Sequence, residues 1–131
     1  MKHIILILLL TVGLAPAMRG DTIPEGKPEL SFPEGTTLDF GRFPDYRIQK
    51  GWLPVVNTGS APLVLTDVFP ECGCTIPEWP KDPIAPGDTA QIQIRFDGKG
   101  RSIGSFVKAI RLRSNAARRP TTLFVKGNIT R

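Results

Sequence analysis

The stretch Asn57-Thr58-Gly59-Ser60-Ala61-Pro62-Leu63-Val64-Leu65-Thr66-Asp67-Val68-Phe69-Pro70-Glu71-Cys72-Gly73-Cys74-Thr75 decides how the rest of the chain is read. It opens on turn chemistry, since Asn tolerates and Gly favours the backbone conformations that a tight turn asks for. From Leu63 to Val68 the side chains alternate, with Leu63, Leu65 and Asp67 on one face and Val64, Thr66 and Val68 on the other. That is the period of a strand and not of a helix. Phe69-Pro70 closes the strand, and the stretch ends in the only two cysteines of the chain, Cys72 and Cys74, on either side of Gly73.

The same alternation recurs on both sides. Downstream, Pro86-Gly87-Asp88 is a second turn, after which Ala90, Ile92, Ile94 and Phe96 alternate with Gln91, Gln93 and Arg95. A glycine-rich loop from Asp97 to Gly104 leads into Phe106 to Arg113, where Phe106, Ile110 and Leu112 face inward and Arg111 and Arg113 face water. Asn115 to Pro120 turns the chain into a last strand, with Leu123, Val125, Gly127 and Ile129 on one face and Phe124, Lys126 and Asn128 on the other. Upstream, Thr37 to Phe43 puts Leu38, Phe40 and Arg42 on one face and Asp39, Gly41 and Phe43 on the other. Lys50 to Asn57 follows, with Leu53 and Val55 as core residues. Pro54 brings no amide donor, so this strand is expected to be unpaired on one side or bulged there.

No segment outside the leader has a helical period. The 131 residues suffice for one hydrophobic core, and thirteen glycines with thirteen prolines supply many turns. The expectation is an all-β fold, an antiparallel immunoglobulin-like β-sandwich of about seven strands. Spacing alone does not separate it from a jelly roll or a small barrel.

The first residues read as an export signal. Lys2 and His3 precede the apolar run Ile4 to Leu10, and Ala15-Pro16-Ala17 is a small-residue cleavage site, so residues 1–17 are expected to be a signal peptide cut after Ala17. The run is short of the about 20 residues that a membrane span needs. An anchor kept uncut is the alternative, and the mature chain is expected to contain no transmembrane span. Residues 18–36, with Pro24, Pro28, Pro33, Gly20, Gly26 and Gly35, read as an arm or linker, in which Leu30-Ser31-Phe32 can add a short edge strand. The domain proper is then 37–131, placed in the periplasm or outside the cell.

Charge and motifs exclude several function classes. Without Lys2 the chain keeps 16 basic against 12 acidic residues, and no basic run exceeds Arg118-Arg119, so a nucleic-acid footprint is missing. There is no Gly-x-Ser-x-Gly, His-Glu-x-x-His or phosphate loop, and the one histidine, His3, lies in the leader. A non-enzymatic protein without a cofactor is expected.

What remains are three candidate sites. In an oxidising compartment, Cys72 and Cys74 can form a disulfide in a very small ring, strained and easily reduced. They can instead hold a soft ion such as Cu(I), or be small buried residues around a turn. Lys81 could act on these thiols only if the following loop folds back. Trp79, between Pro77 and Pro80, can cap one end of the sandwich or serve as a stacking platform, and Trp52 has the same two readings. Arg111 and Arg113, with Lys108 and the nearby Arg118 and Arg119, are either the wet face of a strand or a stripe facing an anionic envelope polymer.

The order of motifs resembles a known family. Asp39-Phe40-Gly41, Asn57-Thr58-Gly59, Pro62-Leu63, Cys72-Gly73-Cys74-Thr75, Ile84-Ala85-Pro86-Gly87, Ser114-Asn115, Leu123 and Gly127 together resemble bacterial domain-of-unknown-function family 1573. That family is related to the immunoglobulin-like ASPM–SPD-2–Hydin and major-sperm-protein modules, and the likeness runs from Leu38 to Ile129. It implies a seven-stranded sandwich in an exported bacterial protein and no established reaction. The resulting expectation is a binding or scaffolding module of the cell envelope with a protein or envelope-polymer partner. The alternative is a thiol-redox or Cu(I)-binding module working through Cys72 and Cys74.

Overall fold

The computed structural model describes Gly13 and residues 26–131; apart from Gly13, the expected leader and the first part of the arm lie outside the described residues. Among the described residues eight strands form: β1 (Leu30–Ser31), β2 (Thr37–Pro44), β3 (Gln49–Asn57), β4 (Leu65–Pro70), β5 (Thr75–Glu78), β6 (Thr89–Phe96), β7 (Gly104–Ser114) and β8 (Ala117–Thr130). They make two four-stranded sheets, in the orders β1-β3-β6-β5 and β2-β8-β7-β4. The core lies between them. Leu53, Val55, Ile92 and Ile94 from the first sheet meet Leu65, Val68, Ile110, Leu112, Leu123 and Val125 from the second. Burying each such side chain is worth about 1.5–3 kcal/mol, and the alternating pattern is what collects them on one side of each sheet.

The chain enters through the first sheet and changes to the second. β1 pairs antiparallel with β3 through Leu30–Asn57 and Ser31–Val56. A turn closed by Gly35 N–H donating to Phe32 O (3.0 Å) then delivers the chain to the other layer. There β2 runs parallel to β8, the one parallel pair among the described strands.

Two bulges break the alternation read from the sequence. In β2 the register shifts between Asp39 and Arg42. Gly41 adopts φ 68°, and Asp39 Oδ1 accepts its amide at 2.8 Å. The extra residue turns Phe43 inward beside Leu38 and Phe40 and leaves Arg42 in water, the reverse of strict alternation for both. In β4 a shift between Leu65 and Asp67 buries Val68 and exposes Asp67.

Two further differences concern element bounds. β5 was not expected: it is four residues long, contains Pro77, and lies at a sheet edge where a missing amide is tolerated. It makes the count eight and not seven. The turn before the last strand is only Asn115-Ala116, and Arg118-Arg119-Pro120 already belongs to β8. Asn115 fixes that turn, its Oδ1 accepting from Val64 N–H (2.9 Å) and its Nδ2 donating to Pro62 O (3.0 Å). Pro54 sits in unbroken register opposite Gln91; β1 reaches only Val56 and Asn57, so no strand of this sheet flanks Pro54 on its other side.

Asn57 joins these parts. It is fully buried. Its Oδ1 accepts from Gly59 N–H (2.9 Å) and Glu29 N–H (3.3 Å), and its Nδ2 donates to Ala61 O (2.7 Å) and Ile84 O (2.9 Å). Ser60 N–H and Thr58 N–H donate to the carbonyls of Lys27 and Glu29, at 2.9 and 3.0 Å. A Cβ at Gly59 would run into the Lys27 carbonyl and the Glu29 amide, so glycine is required where the arm crosses the turn.

Candidate functional site

Cys72 and Cys74 lie in the bend between β4 and β5 and are joined by a disulfide, their Cα atoms 5.2 Å apart. Cys74 is 3% exposed and packs with Phe43, Phe96 and Ile129, while Cys72 is half-buried against the same cluster. The floor beneath them is aromatic. Phe96 stacks on Phe106 at 4.3 Å between ring centroids, and Phe43 meets both edge-on at 5.9 and 6.0 Å. Each sulfur has a donor: Cys74 N–H points at Cys72 Sγ (3.2 Å), and Thr75 Oγ1, itself buried, lies 3.7 Å from Cys74 Sγ. With the sulfurs bonded to each other, a Cu(I) ion would need the bond reduced first. Among the described residues no three His, Cys, Asp or Glu side chains group as metal ligands.

The bond contributes little as a staple. On the chain-entropy account a loop this short restrains the unfolded chain by about 1.6 kcal/mol, against about 3 kcal/mol for a fifteen-residue loop. Reduced protein is therefore expected to stay folded and to lose about 1.6 kcal/mol of unfolding free energy, read from urea curves with and without reductant. A loss of about 4 kcal/mol or more would show that the core depends on the bond.

Trp79 and Trp52 face different ways. Trp79 packs against the main core, with Lys81 Nζ 2.9 Å from its ring centroid, so this lysine is spent on the indole. Trp52 projects from the outer face of the first sheet and is 52% exposed. It lies opposite Gln93, and Gln93 opposite Glu78; the neighbouring row is Lys50, Arg95 and Ile76. Just before β3, Tyr46 and Ile48 are also exposed. Sequence reading passed over these two, and the signal was there: apolar residues in a turn that no strand pattern can bury.

Arg111 and Arg113 lie on the outer face of the second sheet, opposite Phe69 and Asp67 respectively, and the Arg113 guanidinium is 5.7 Å from the Phe69 ring centroid. Lys108 does not share that face. It lies opposite Val125 on the inward side of β7 and is half-buried, so it does not extend a basic stripe from Arg111 and Arg113. The only ion pair among the described residues is Lys126–Asp39, at 3.8 Å and exposed. No described helix is long and apolar enough to cross a membrane.

Comparison with known proteins adds the fold's relatives. A protein of unknown function from Porphyromonas gingivalis is 25% identical and superimposes with a TM-score of 0.64, over 79% of this chain and 46% of its own. The ASH/PapD-like domain of human CEP192 is 10% identical with a TM-score of 0.57, over 79% of this chain and 85% of that one. The VesB protease of Vibrio cholerae is 9% identical with a TM-score of 0.55, over 78% of this chain and 32% of its own. The last two show a shared fold alone. This chain thus spans less than half of the first protein and about a third of the protease. No curated protein matches it. The family model described as protein of unknown function (DUF1573) matches residues 31–129, from the end of β1 to Ile129 near the end of β8, and the chain belongs to that family.

Proposed function

We propose that the chain is an exported, non-enzymatic immunoglobulin-like module that binds an anionic component of the bacterial cell envelope. The observation that carries this reading is the outer face of the first sheet. Trp52 stands exposed beside Lys50 and Arg95, with Ile76 in the row of those two cations and, among the described residues, no carboxylate within ion-pair distance of either. An exposed indole among unpaired cations suits an anionic partner, the aromatic plane giving contact area and the cations giving attraction. Docking on this face fits better than strand addition. Pro54 interrupts the amides of β3, Pro77 those of β5 and Pro70 those of β4, while β2 carries a bulge, which are the usual guards of a sheet edge. The leader pattern supports export.

The test uses Trp79→Phe protein, in which Trp52 is the only tryptophan. Adding lipopolysaccharide or solubilised envelope extract is expected to shift its emission to the blue. Trp52→Ala is expected to weaken retention on that extract about thirtyfold, the size of a central tryptophan in an interface. Unchanged emission together with undiminished retention of Trp52→Ala would defeat the reading. Export is tested separately, since mature protein should begin at Met18.

A further inference from the structure

We infer that the Cys72–Cys74 bond is a thiol–disulfide exchange site that accepts two electrons from an external dithiol. Three observations bear on it. The first is that hydrogen bonds other than the disulfide hold the bend on both sides. Glu71 N–H donates to Ala109 O (3.1 Å) and Glu71 Oε1 accepts from Ala109 N–H (2.8 Å) on one side. Asp97 N–H donates to Cys74 O (2.8 Å) and Thr75 N–H to Cys72 O (3.1 Å) on the other. The two thiols of the reduced form are thus held within reach of each other. The second is asymmetry of access: Cys72 is half-buried at the rim and Cys74 is enclosed, which makes Cys72 Sγ the sulfur an incoming thiolate meets. The third is that both sulfurs have a donor placed for the negative charge each must carry in turn, the Cys74 amide for Cys72 and the Thr75 hydroxyl for Cys74.

The exchange runs in two displacements. A thiolate of the dithiol attacks Cys72 Sγ; a mixed disulfide forms, the Cys72–Cys74 bond breaks, and its electron pair leaves on Cys74 Sγ beside the Thr75 hydroxyl. The second thiol of the dithiol, its proton lost to water, attacks its own sulfur in the mixed disulfide. The electron pair now leaves on Cys72 Sγ, facing the Cys74 amide. The dithiol ends as a disulfide, the protein ends as a dithiol, and the two protons pass through water to Cys72 and Cys74. Thr75 is a positioning residue in this scheme, acting through Cys74.

Native full-length protein is treated with dithiothreitol without denaturant, quenched with iodoacetamide at intervals and weighed intact. Two adducts per chain are expected, with an unchanged far-UV circular dichroism spectrum. Thr75→Val, which keeps the shape and removes the hydroxyl, is expected to slow the reaction about fivefold, the worth of one hydrogen bond. Thr75→Ser should restore the rate. Adducts that form only in denaturant would overturn the proposal, and so would Thr75→Val reacting at the native rate. If Thr75→Val does not fold, the native adduct count still decides.

Discussion

Replacing Asn57 with alanine is expected to lower the unfolding free energy by about 4 kcal/mol, since it leaves several buried donors and acceptors without partners at about 1–3 kcal/mol each. The amide serves both directions at once. Its oxygen takes the Gly59 and Glu29 amides, and its nitrogen gives to the Ala61 and Ile84 carbonyls. No solvent reaches the side chain, which is 0% exposed, to take over those bonds. Domains of this size hold only about 5–15 kcal/mol in all, so the variant should be folded but near its limit. Asn57→Asp is the informative companion. It keeps an acceptor for Gly59 and Glu29 but sets a second oxygen against two carbonyls, so it should be no better than alanine. Urea denaturation reads both, and a loss below about 1 kcal/mol for Asn57→Ala would mean that water replaces the network.

Phe96→Ala is expected to cost about 4 kcal/mol, the usual range for a phenylalanine deleted from a core being about 3–5 kcal/mol. Phe96 is the ring on which the others converge: it stacks on Phe106, meets Phe43 edge-on and lies 6.4 Å from Phe40. It also pairs with Gln49 on one side and Thr75 on the other, so it lies directly beneath the sulfur-bearing bend. Thermal unfolding should show the loss, and faster alkylation after dithiothreitol should show a loosened bend. Full stability in this variant would mean that the aromatic cluster is not part of the cooperative core.

How much of this was legible in the sequence depends on where the backbone is regular. Ile92, Ile94 and Phe96 alternate without interruption on a central strand, and all three are buried as the alternation expects. Where one residue is added, the alternation inverts. Strict period puts Phe43 on the face opposite Leu38 and Phe40, and Val68 on the face opposite Leu65, yet both lie inward because bulges precede them. Gly41 held the clue for the first, since Asp39 two residues earlier can cap its amide; nothing in Leu65-Thr66-Asp67 announces the second. β5 escaped because four residues containing a proline carry no usable period. The candidate sites were legible as residue types and not as neighbours. The two tryptophans end on opposite sides of the first sheet, and Lys108 turns away from Arg111 and Arg113, because facing is set by strand parity and layer, which sequence proximity does not report.

The parallel pairing of β2 with β8 has a mechanical consequence. Thr37, where β2 begins, pairs with Phe124, and Pro44, where it ends, pairs with Thr130 near the close of β8. Tension that draws the start of β2 away from the end of β8 therefore pulls the two strands lengthwise past each other. All of their backbone bonds bear the load together, where an antiparallel hairpin pulled from its open end would unzip one rung at a time.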